Sequence, residues 1–171
     1  MKPITPCLWF AGDAEEAATF YVSLLPNSHI DAVFRSPADT PSGPAGSVLT
    51  VEFTLNGHPF LALNGDEGVE YTHAVSFQIH TRDQAETDRV WSAILINGGQ
   101  EVQCGWIKDR WGLNWQIVPE RLNELIKDPD PARARRAMEA MMTMVKIDIA
   151  KLEECLHFDI PVPPNSIQPQ S

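Results

Sequence analysis

A strand that runs into a helix beginning at an aspartate occurs twice in this chain, and this repeat constrains the fold more than any other sequence feature. Residues 4–10 are apolar and rich in strand-forming side chains. Asp13 follows them, with Glu16 three positions later, the spacing of a helix-capping box. Asp83 and Glu86, each 70 positions further on, repeat the pattern. We therefore expect two related modules that share one topology.

Three more strands are expected in the first module. Asn56 and Gly57 predict a tight hairpin, because Asn-Gly tolerates the positive φ angles that two-residue turns require. The predicted strands cover residues 29–35, 47–55 and 58–63. Residues 36–46 are dense in Pro, Gly and Ser, and we expect them to form a loop that is either a lid or disordered.

The second module follows the same plan after a predicted linker. Its first strand is expected over residues 73–80 and its helix over 84–96, where Asn97, Gly98 and Gly99 form a typical helix C-cap sequence. Three short strands are then expected over residues 101–103, 105–108 and 113–118.

Beyond Pro119 the chain changes character and is expected to be helical. Asp130 and Pro131 suit an N-cap and first helical position, and the methionines that follow are expected to lie in a core or an interface. Asp148 can cap a last helix. We divide the chain into a first module (1–65), a second module that completes one structural domain (66–119), a C-terminal helical extension (120–156) and a flexible tail (157–171).

Composition excludes several classes of protein. A net charge of −10 disfavours binding to a nucleic-acid backbone. The three cysteines lie far apart, which predicts reduced thiols in a cytoplasmic protein. The sequence has no long apolar run and no charged-then-apolar leader, so we expect neither membrane insertion nor secretion.

Five segments in a consistent order carry a family resemblance: ITPCLWF, FYVSLLPNS, SVLTVEF, CGWIKDRWG and WQIVP. Over about residues 2–149 the chain resembles the PhnB-like branch of the vicinal oxygen chelate superfamily, which includes glyoxalase I, extradiol dioxygenases and bleomycin-resistance proteins. The resemblance implies an α+β fold in which two βαβββ modules form an open curved barrel around a cleft. It also implies a homodimer.

In catalytic members of that superfamily, the resemblance implies a divalent metal held by His or Gln on the first strand of each module and Glu on the last. Laid on this chain, those positions fall on Pro6, Leu61, Ser76 and Gln116. Pro and Leu cannot bind a cation through their side chains, and Ser and Gln are weak neutral ligands. We therefore expect no metal and no other cofactor. Members also carry a 3-demethylubiquinone-9 3-methyltransferase label, yet no Gly-rich nucleotide-binding loop follows a strand here.

Strand alternation predicts two walls of different polarity for the cleft. The polar wall is expected from the second module, with Ser76, Gln78, His80, Asn114 and Gln116. The apolar wall is expected from the first module, with Pro6, Leu8, Phe10, Leu61 and Leu63. Such a cleft suits a small amphipathic molecule.

Three further side chains have alternative interpretations. His80 could act as a general base, or could only bind a neighbouring loop. Cys104 could be a nucleophile, or an inert packing residue. Trp106 could form a rim for an anionic ligand together with Lys108, Arg110 and Trp111. Alternatively, these four residues could belong to an exposed hairpin turn with aromatic packing.

The leading hypothesis is therefore a cytoplasmic small-molecule-binding protein, for example a sequestering one, without a competent metal centre. The alternative is an enzyme, either a metal-assisted lyase, isomerase or dioxygenase, or a metal-free acid/base catalyst that uses His80. A third hypothesis is a purely structural module, which would fill the cleft with its own side chains. The expected partners are a small-molecule ligand and a second copy of the chain, and neither nucleic acid nor a membrane.

Overall fold

The computed structural model describes residues 4–157, so the predicted flexible tail lies, from residue 158 onward, outside the described residues. The first five elements are β1 (Cys7–Phe10), α1 (Ala14–Leu24), β2 (His29–Arg35), β3 (Val48–Leu55) and β4 (His58–Asn64). The next five are β5 (Phe77–Thr81), α2 (Gln84–Ile96), β6 (Gln100–Glu101), β7 (Trp106–Lys108) and β8 (Asn114–Pro119). Three helices follow: α3 (Glu120–Ile126), α4 (Pro131–Met141) and α5 (Ile149–His157).

The two predicted βαβββ modules are confirmed by the order of the strands. Each module forms a four-stranded mixed sheet, β1-β4-β3-β2 in the first and β5-β8-β7-β6 in the second. In both sheets the first and last strands of the module pair in parallel. The fold is thus α+β with C-terminal helices, as expected.

The described chain divides into two compact units. The first contains residues up to Ser76 together with 92–100 and 108–114, and the second contains 77–91, 101–107 and the chain from Trp115 onward. In the first unit α1 packs on one face of the sheet through its alanine-rich side, and Tyr21 lies against the rings of Phe10 and Phe53. Small alanine side chains let the helix approach the sheet closely, and the buried rings fill the space between them.

Asp13 does not cap α1, which corrects the capping box expected there. Its side chain makes no capping hydrogen bond. Instead, Oδ1 of Asn64, at the end of β4, accepts the backbone N–H of Ala14 at 2.9 Å, while Nδ2 of Asn64 donates to the Val48 carbonyl. A side chain 50 positions away therefore satisfies one of the free N–H groups at the start of the helix.

The second repeat does cap its helix in the expected way. Oδ1 of Asp83 accepts the Glu86 N–H at 2.8 Å, and the Glu86 carboxylate accepts the N–H of Arg82 at 2.9 Å. At the other end of α2, Gly98 and Gly99 donate to the carbonyls of Leu95 and Ile94, the pattern of a Schellman motif.

The C-terminal extension is helical as expected, and its first helix, α3, begins directly after β8. The extension forms its own apolar cluster with the end of β8, comprising Val118, Leu122, Leu125, Ala137, Ile147, Leu152 and Leu156. Asp130 and Asp148 cap α4 and α5 as expected. The methionines divide between core and surface: Met141 and Met144 pack against the cluster beside the buried Ala137, while Met138 and Met142 are exposed.

Backbone hydrogen bonds and an ion pair help to attach the extension to the rest of the second unit. The backbone N–H groups of Cys104 and Gly105 donate to the carbonyls of Met144 and Val145, both at 2.8 Å. Lys146 forms an ion pair with Asp88 on α2. Within residues 4–157, no helix is both long enough and apolar enough to cross a membrane.

Candidate functional site

The first sheet carries two rows of cross-strand neighbours on the face opposite α1. One row runs Cys7, Leu61, Glu52, Ala32 across β1, β4, β3 and β2. The next row runs Trp9, Leu63, Thr50, Phe34. Because directly paired residues project to the same side of a sheet, these eight side chains form one surface, which we call the open face.

Much of the open face is apolar and accessible. Phe34 is 53% exposed and Trp9 is 36% exposed, at opposite ends of one row, and Leu63 between them is half-buried. The other row places a half-buried Leu61 beside the exposed carboxylate of Glu52. The surface therefore offers aromatic and aliphatic contacts next to polar groups.

Trp9 is held in place by three neighbours. Its indole Nε1 donates to the Asp66 carbonyl at 3.0 Å, and its own carbonyl accepts the Tyr71 hydroxyl at 2.8 Å. A side chain at Gly65 would collide with the indole, since a Cβ built there would lie 1.9 Å from Cζ2 of Trp9. Burial raises the pKa of Tyr71 to about 12, so this donor keeps its proton at neutral pH.

The expectation that Leu8 and Phe10 share a wall with Leu61 and Leu63 is wrong. Leu8 pairs with Ala62 and Phe10 with Asn64, so these residues lie on the α1 side of the sheet. Leu8 is only 4% exposed and belongs to the core. The error came from the register of the parallel β1–β4 pair, which nothing in the local sequence sets.

The observed strand registers also change which residues stand beside Leu61 and Gln116, the predicted last-strand positions for metal ligands. Cys7, not Pro6, lies beside Leu61, and Pro6 contributes only its carbonyl, which accepts the Leu61 N–H. In the second sheet Gln78, not Ser76, lies beside Gln116. The Cys7 side chain is exposed, and desolvation by its neighbours raises the pKa of its thiol.

The predicted shared face of the second sheet is confirmed by its register. Gln78 pairs with Gln116 and His80 with Val118, whereas Phe77, Ile79, Trp115 and Ile117 alternate to the other side. Nε2 of Gln78 donates to Oε1 of Gln116 at 3.0 Å, so the two amides are coupled. Val118 at the end of this face is covered by the C-terminal extension.

The residues at these positions do not suit a divalent metal ion. The second sheet offers two amides that already bind each other, and the first offers a leucine and one thiol. Within residues 4–157, no three His, Cys, Asp or Glu side chains come together in a group that could hold a metal. The donor set is thus unlike the His, carboxylate and thiolate ligands that such ions normally require.

The remaining candidate residues, His80, Cys104 and Trp106, belong to the second unit. His80 is exposed, and its Nδ1 lies 3.4 Å from Nδ2 of Asn123 on α3. Cys104 is half-buried with a positive φ of 56° and is paired through its backbone to the C-terminal extension. Trp106 is half-buried on β7. A catalytic role for His80 or Cys104, and a ligand contact for Trp106, stay predictions.

Asn114 is the most deeply buried of the predicted site residues, with 1% of its surface exposed. Its Nδ2 donates to the Thr72 carbonyl at 3.1 Å, while Oδ1 has no hydrogen-bond partner among the described residues. A buried carbonyl oxygen without a donor is costly, so this atom is a candidate to accept a hydrogen bond from water or from a ligand.

Sequence reasoning missed Trp9, Phe34 and Glu52 as members of the open face. The signal for Glu52 was present, because a two-residue hairpin at Asn56 and Gly57 fixes the register of its strands and sets Glu52 opposite Leu61. Trp9 was not predictable in this way, since the parallel register that places it beside Leu63 joins segments far apart in the chain.

Comparison with known proteins shows which family this chain belongs to. A family model described as 3-demethylubiquinone-9 3-methyltransferase matches residues 2–118. A solved structure of a putative 3-demethylubiquinone-9 3-methyltransferase, a PhnB protein from Bacillus cereus, is 30% identical with a TM-score of 0.62, and the match covers 68% of this chain and 98% of that one. The chain belongs to this PhnB-like family.

Two more distant structures resemble this PhnB-like chain. A protein from Pseudomonas aeruginosa is 20% identical with a TM-score of 0.55, and the match covers 68% of this chain and 96% of that one. A glyoxalase/bleomycin resistance protein from Albidiferax ferrireducens is 14% identical with a TM-score of 0.45, with coverage of 67% and 95%. No curated protein matches the chain.

The predicted family resemblance is therefore confirmed, but the family model ends at residue 118 and not near residue 149 as expected. Helices α3, α4 and α5 all lie beyond residue 118, outside the part that the family model matches.

Proposed function

We propose that this PhnB-like protein binds a small amphipathic molecule on the open face of its first sheet, and that it does so without a divalent metal. The observation that carries the proposal is the pair of cross-strand rows that leave Trp9, Phe34 and two leucines accessible beside polar groups. Contiguous apolar surface of this kind usually marks a binding site.

Packing supports the same reading. The apolar side chains that the fold needs for stability lie on the other side of the sheet, where Phe10, Phe53 and Ala62 are buried against α1. The residues of the open face do not contribute to that core. The fold therefore does not need apolar side chains at these positions. Trp9, held through its indole N–H and its carbonyl, is pre-ordered for a ligand, which lowers the entropic cost of binding.

On the second unit, considered by itself, we propose a polar surface as a second place for ligand binding. The amides of Gln78 and Gln116 bind each other on that face of the sheet, which makes it polar. We propose that the protein sequesters the bound molecule, since this role requires no catalytic group. The methyltransferase in the family's description is not part of the proposal, because no Gly-rich loop follows a strand in this sequence.

A fluorescence titration with N-phenyl-1-naphthylamine, a neutral probe that brightens in apolar surroundings, tests the proposal. The wild-type protein is expected to bind it saturably, and Leu61→Asn to weaken binding by about tenfold, since about 1.4 kcal/mol of apolar contact is lost. Val69→Asn is the matched control, because Val69 is exposed and lies outside the open face. It should bind as the wild type does.

The same titration separates the two surfaces. Gln78→Leu reports whether the second unit contributes, and its effect is read independently of Leu61→Asn. Saturable binding that Leu61→Asn leaves unchanged would refute the assignment to the open face. Absence of saturable binding by the wild-type protein would refute the proposed function.

A further inference from the structure

Glu52 places a carboxylate in the middle of the open face. It pairs directly with Leu61 on one side and Ala32 on the other, so its side chain projects from the same surface as the apolar residues. Glu52 is exposed. Within residues 4–157, the structure gives its carboxylate neither an ion pair nor a hydrogen bond.

The charges around Glu52 do not neutralise it. Asp31 lies on the neighbouring strand, where its carboxylate accepts the Thr54 hydroxyl at 2.8 Å and lies 3.2 Å from His29. Arg35 pairs with Val48 at the far end of the face, three cross-strand pairs beyond Glu52, and its guanidinium donates to the Gly46 carbonyl. The centre of the face is therefore acidic, in a chain whose net charge is −10.

An acidic group set among apolar side chains favours one class of ligand. A protonated amine attached to an aromatic or aliphatic body can pair with the carboxylate while the body lies on the leucines and Trp9. An anionic ligand would bring its charge next to Glu52 and would be repelled. A neutral ligand would gain only the apolar contact.

We propose that the open face selects cationic amphipathic molecules, with Glu52 as the residue that recognises the ammonium group and Leu61 as the apolar contact beside it. This inference rests on the proposed function and adds the chemical class of its ligand. Since Glu52 is solvent-accessible, the preference is modest and sensitive to ionic strength.

Three indoles that share one ring system but differ in charge test the proposal: tryptamine, 3-methylindole and indole-3-acetate. Their affinities are measured by displacement of N-phenyl-1-naphthylamine. We expect tryptamine to bind about fivefold more tightly than 3-methylindole, and indole-3-acetate most weakly, as a partly screened single charge pair predicts. The preference should shrink from about 20 mM to about 500 mM NaCl.

Two variants identify the residue responsible. Glu52→Gln should remove the preference for tryptamine and leave 3-methylindole binding unchanged. Glu15→Gln removes the same charge from α1, on the other side of the sheet, and should keep the preference. A preference that survives in Glu52→Gln, or that disappears equally in Glu15→Gln, would overturn the assignment to Glu52.

The outcomes also separate this inference from the function on which it rests. If the three indoles bind alike and Leu61→Asn weakens all of them, the open face binds ligands and only the charge selection is refuted. If none displaces the probe, both proposals fail. If light scattering shows a dimer that Leu61→Asn dissociates, a second copy of the chain covers the face, and both proposals are overturned.

Discussion

The Tyr21 hydroxyl donates a 2.7 Å hydrogen bond to Oδ2 of Asp109, a residue 88 positions further along the chain. The other carboxylate oxygen of Asp109 accepts the N–H groups of Trp111 and Leu113, both at 3.0 Å, and so fixes the turn between β7 and β8. The bond therefore links α1 to a turn of the second repeat inside the first compact unit. Burial, together with the charge of Asp109, raises the pKa of Tyr21 well above its usual value.

This relationship predicts an alkaline loss of stability. Because folding raises the pKa of Tyr21, its contribution is complete below pH about 10, the usual tyrosine pKa, and declines as the pH rises further. Tyr21→Phe should cost about 1–3 kcal/mol at neutral pH, since Asp109 loses a donor in a buried site. The difference in urea unfolding free energy between wild type and variant should shrink above pH about 10. A difference that stays constant across that range would show that Tyr21 does not titrate on unfolding.

The start of α1 offers a direct comparison between a capping residue and a residue that only resembles one. Asn64→Ala should cost about 0.5–2 kcal/mol, because Ala14 loses the acceptor of its N–H, whereas Asp13→Ala should change the free energy of unfolding by less than about 0.5 kcal/mol. Chemical denaturation measures both. Equal costs would mean that Asp13 contributes to capping in solution.

Gly65 is predicted to be required by the position of Trp9. Gly65→Ala should displace the indole, since its Cβ would lie within 1.9 Å of the ring, and should lower both stability and binding of N-phenyl-1-naphthylamine. A double-mutant cycle provides the control. In a Trp9→Ala background the same change should be nearly neutral, within about 0.5 kcal/mol. If Gly65→Ala lowers stability as much in the Trp9→Ala background as in the wild type, the steric clash does not involve the indole of Trp9.

Gln84 is predicted to anchor the C-terminal extension. Its Nε2 donates to the Ile147 carbonyl at 3.1 Å, and its Oε1 accepts the Ile149 N–H at 2.9 Å, so one side chain binds the backbone on both sides of Asp148. Gln84→Ala should cost about 1–3 kcal/mol and speed hydrogen exchange of α5 amides. Exposed Gln100→Ala is the control and should have little effect. Unchanged α5 exchange would contradict the anchoring role.

Metal binding is predicted to be absent at the positions where the family resemblance places it. Protein prepared without an affinity tag should contain no stoichiometric metal, and melting scans with Mg, Mn, Fe(II), Co, Ni and Zn should show no saturable shift, because a ligand that binds only the native state would raise the melting temperature. A large shift with one ion, abolished in Cys7→Ala or Gln116→Ala, would contradict this prediction and move the protein towards the enzyme hypothesis.

Local signals determined much of the fold. The repeated strand–helix pattern predicted both βαβββ modules, and the Asn56 and Gly57 turn was confirmed with φ angles of 47° and 80°. Alternation also placed Gln78, His80 and Gln116 on one face of the second sheet, because a strand's side chains change sides at every residue whatever surrounds them. These features depend only on residues close together in sequence, so the sequence alone could specify them.

The tertiary structure decided what depends on distant pairing. Whether Leu8 or Trp9 joins Leu61 and Leu63 follows from the register of two parallel strands about 50 residues apart, and a slip of one residue exchanges the two faces. The cap of α1 likewise comes from Asn64 on another strand, although Asp13 stands at the expected local position. Long-range packing and hydrogen bonds produce no periodic pattern in the sequence. These interactions determine which residues form the open face of this protein.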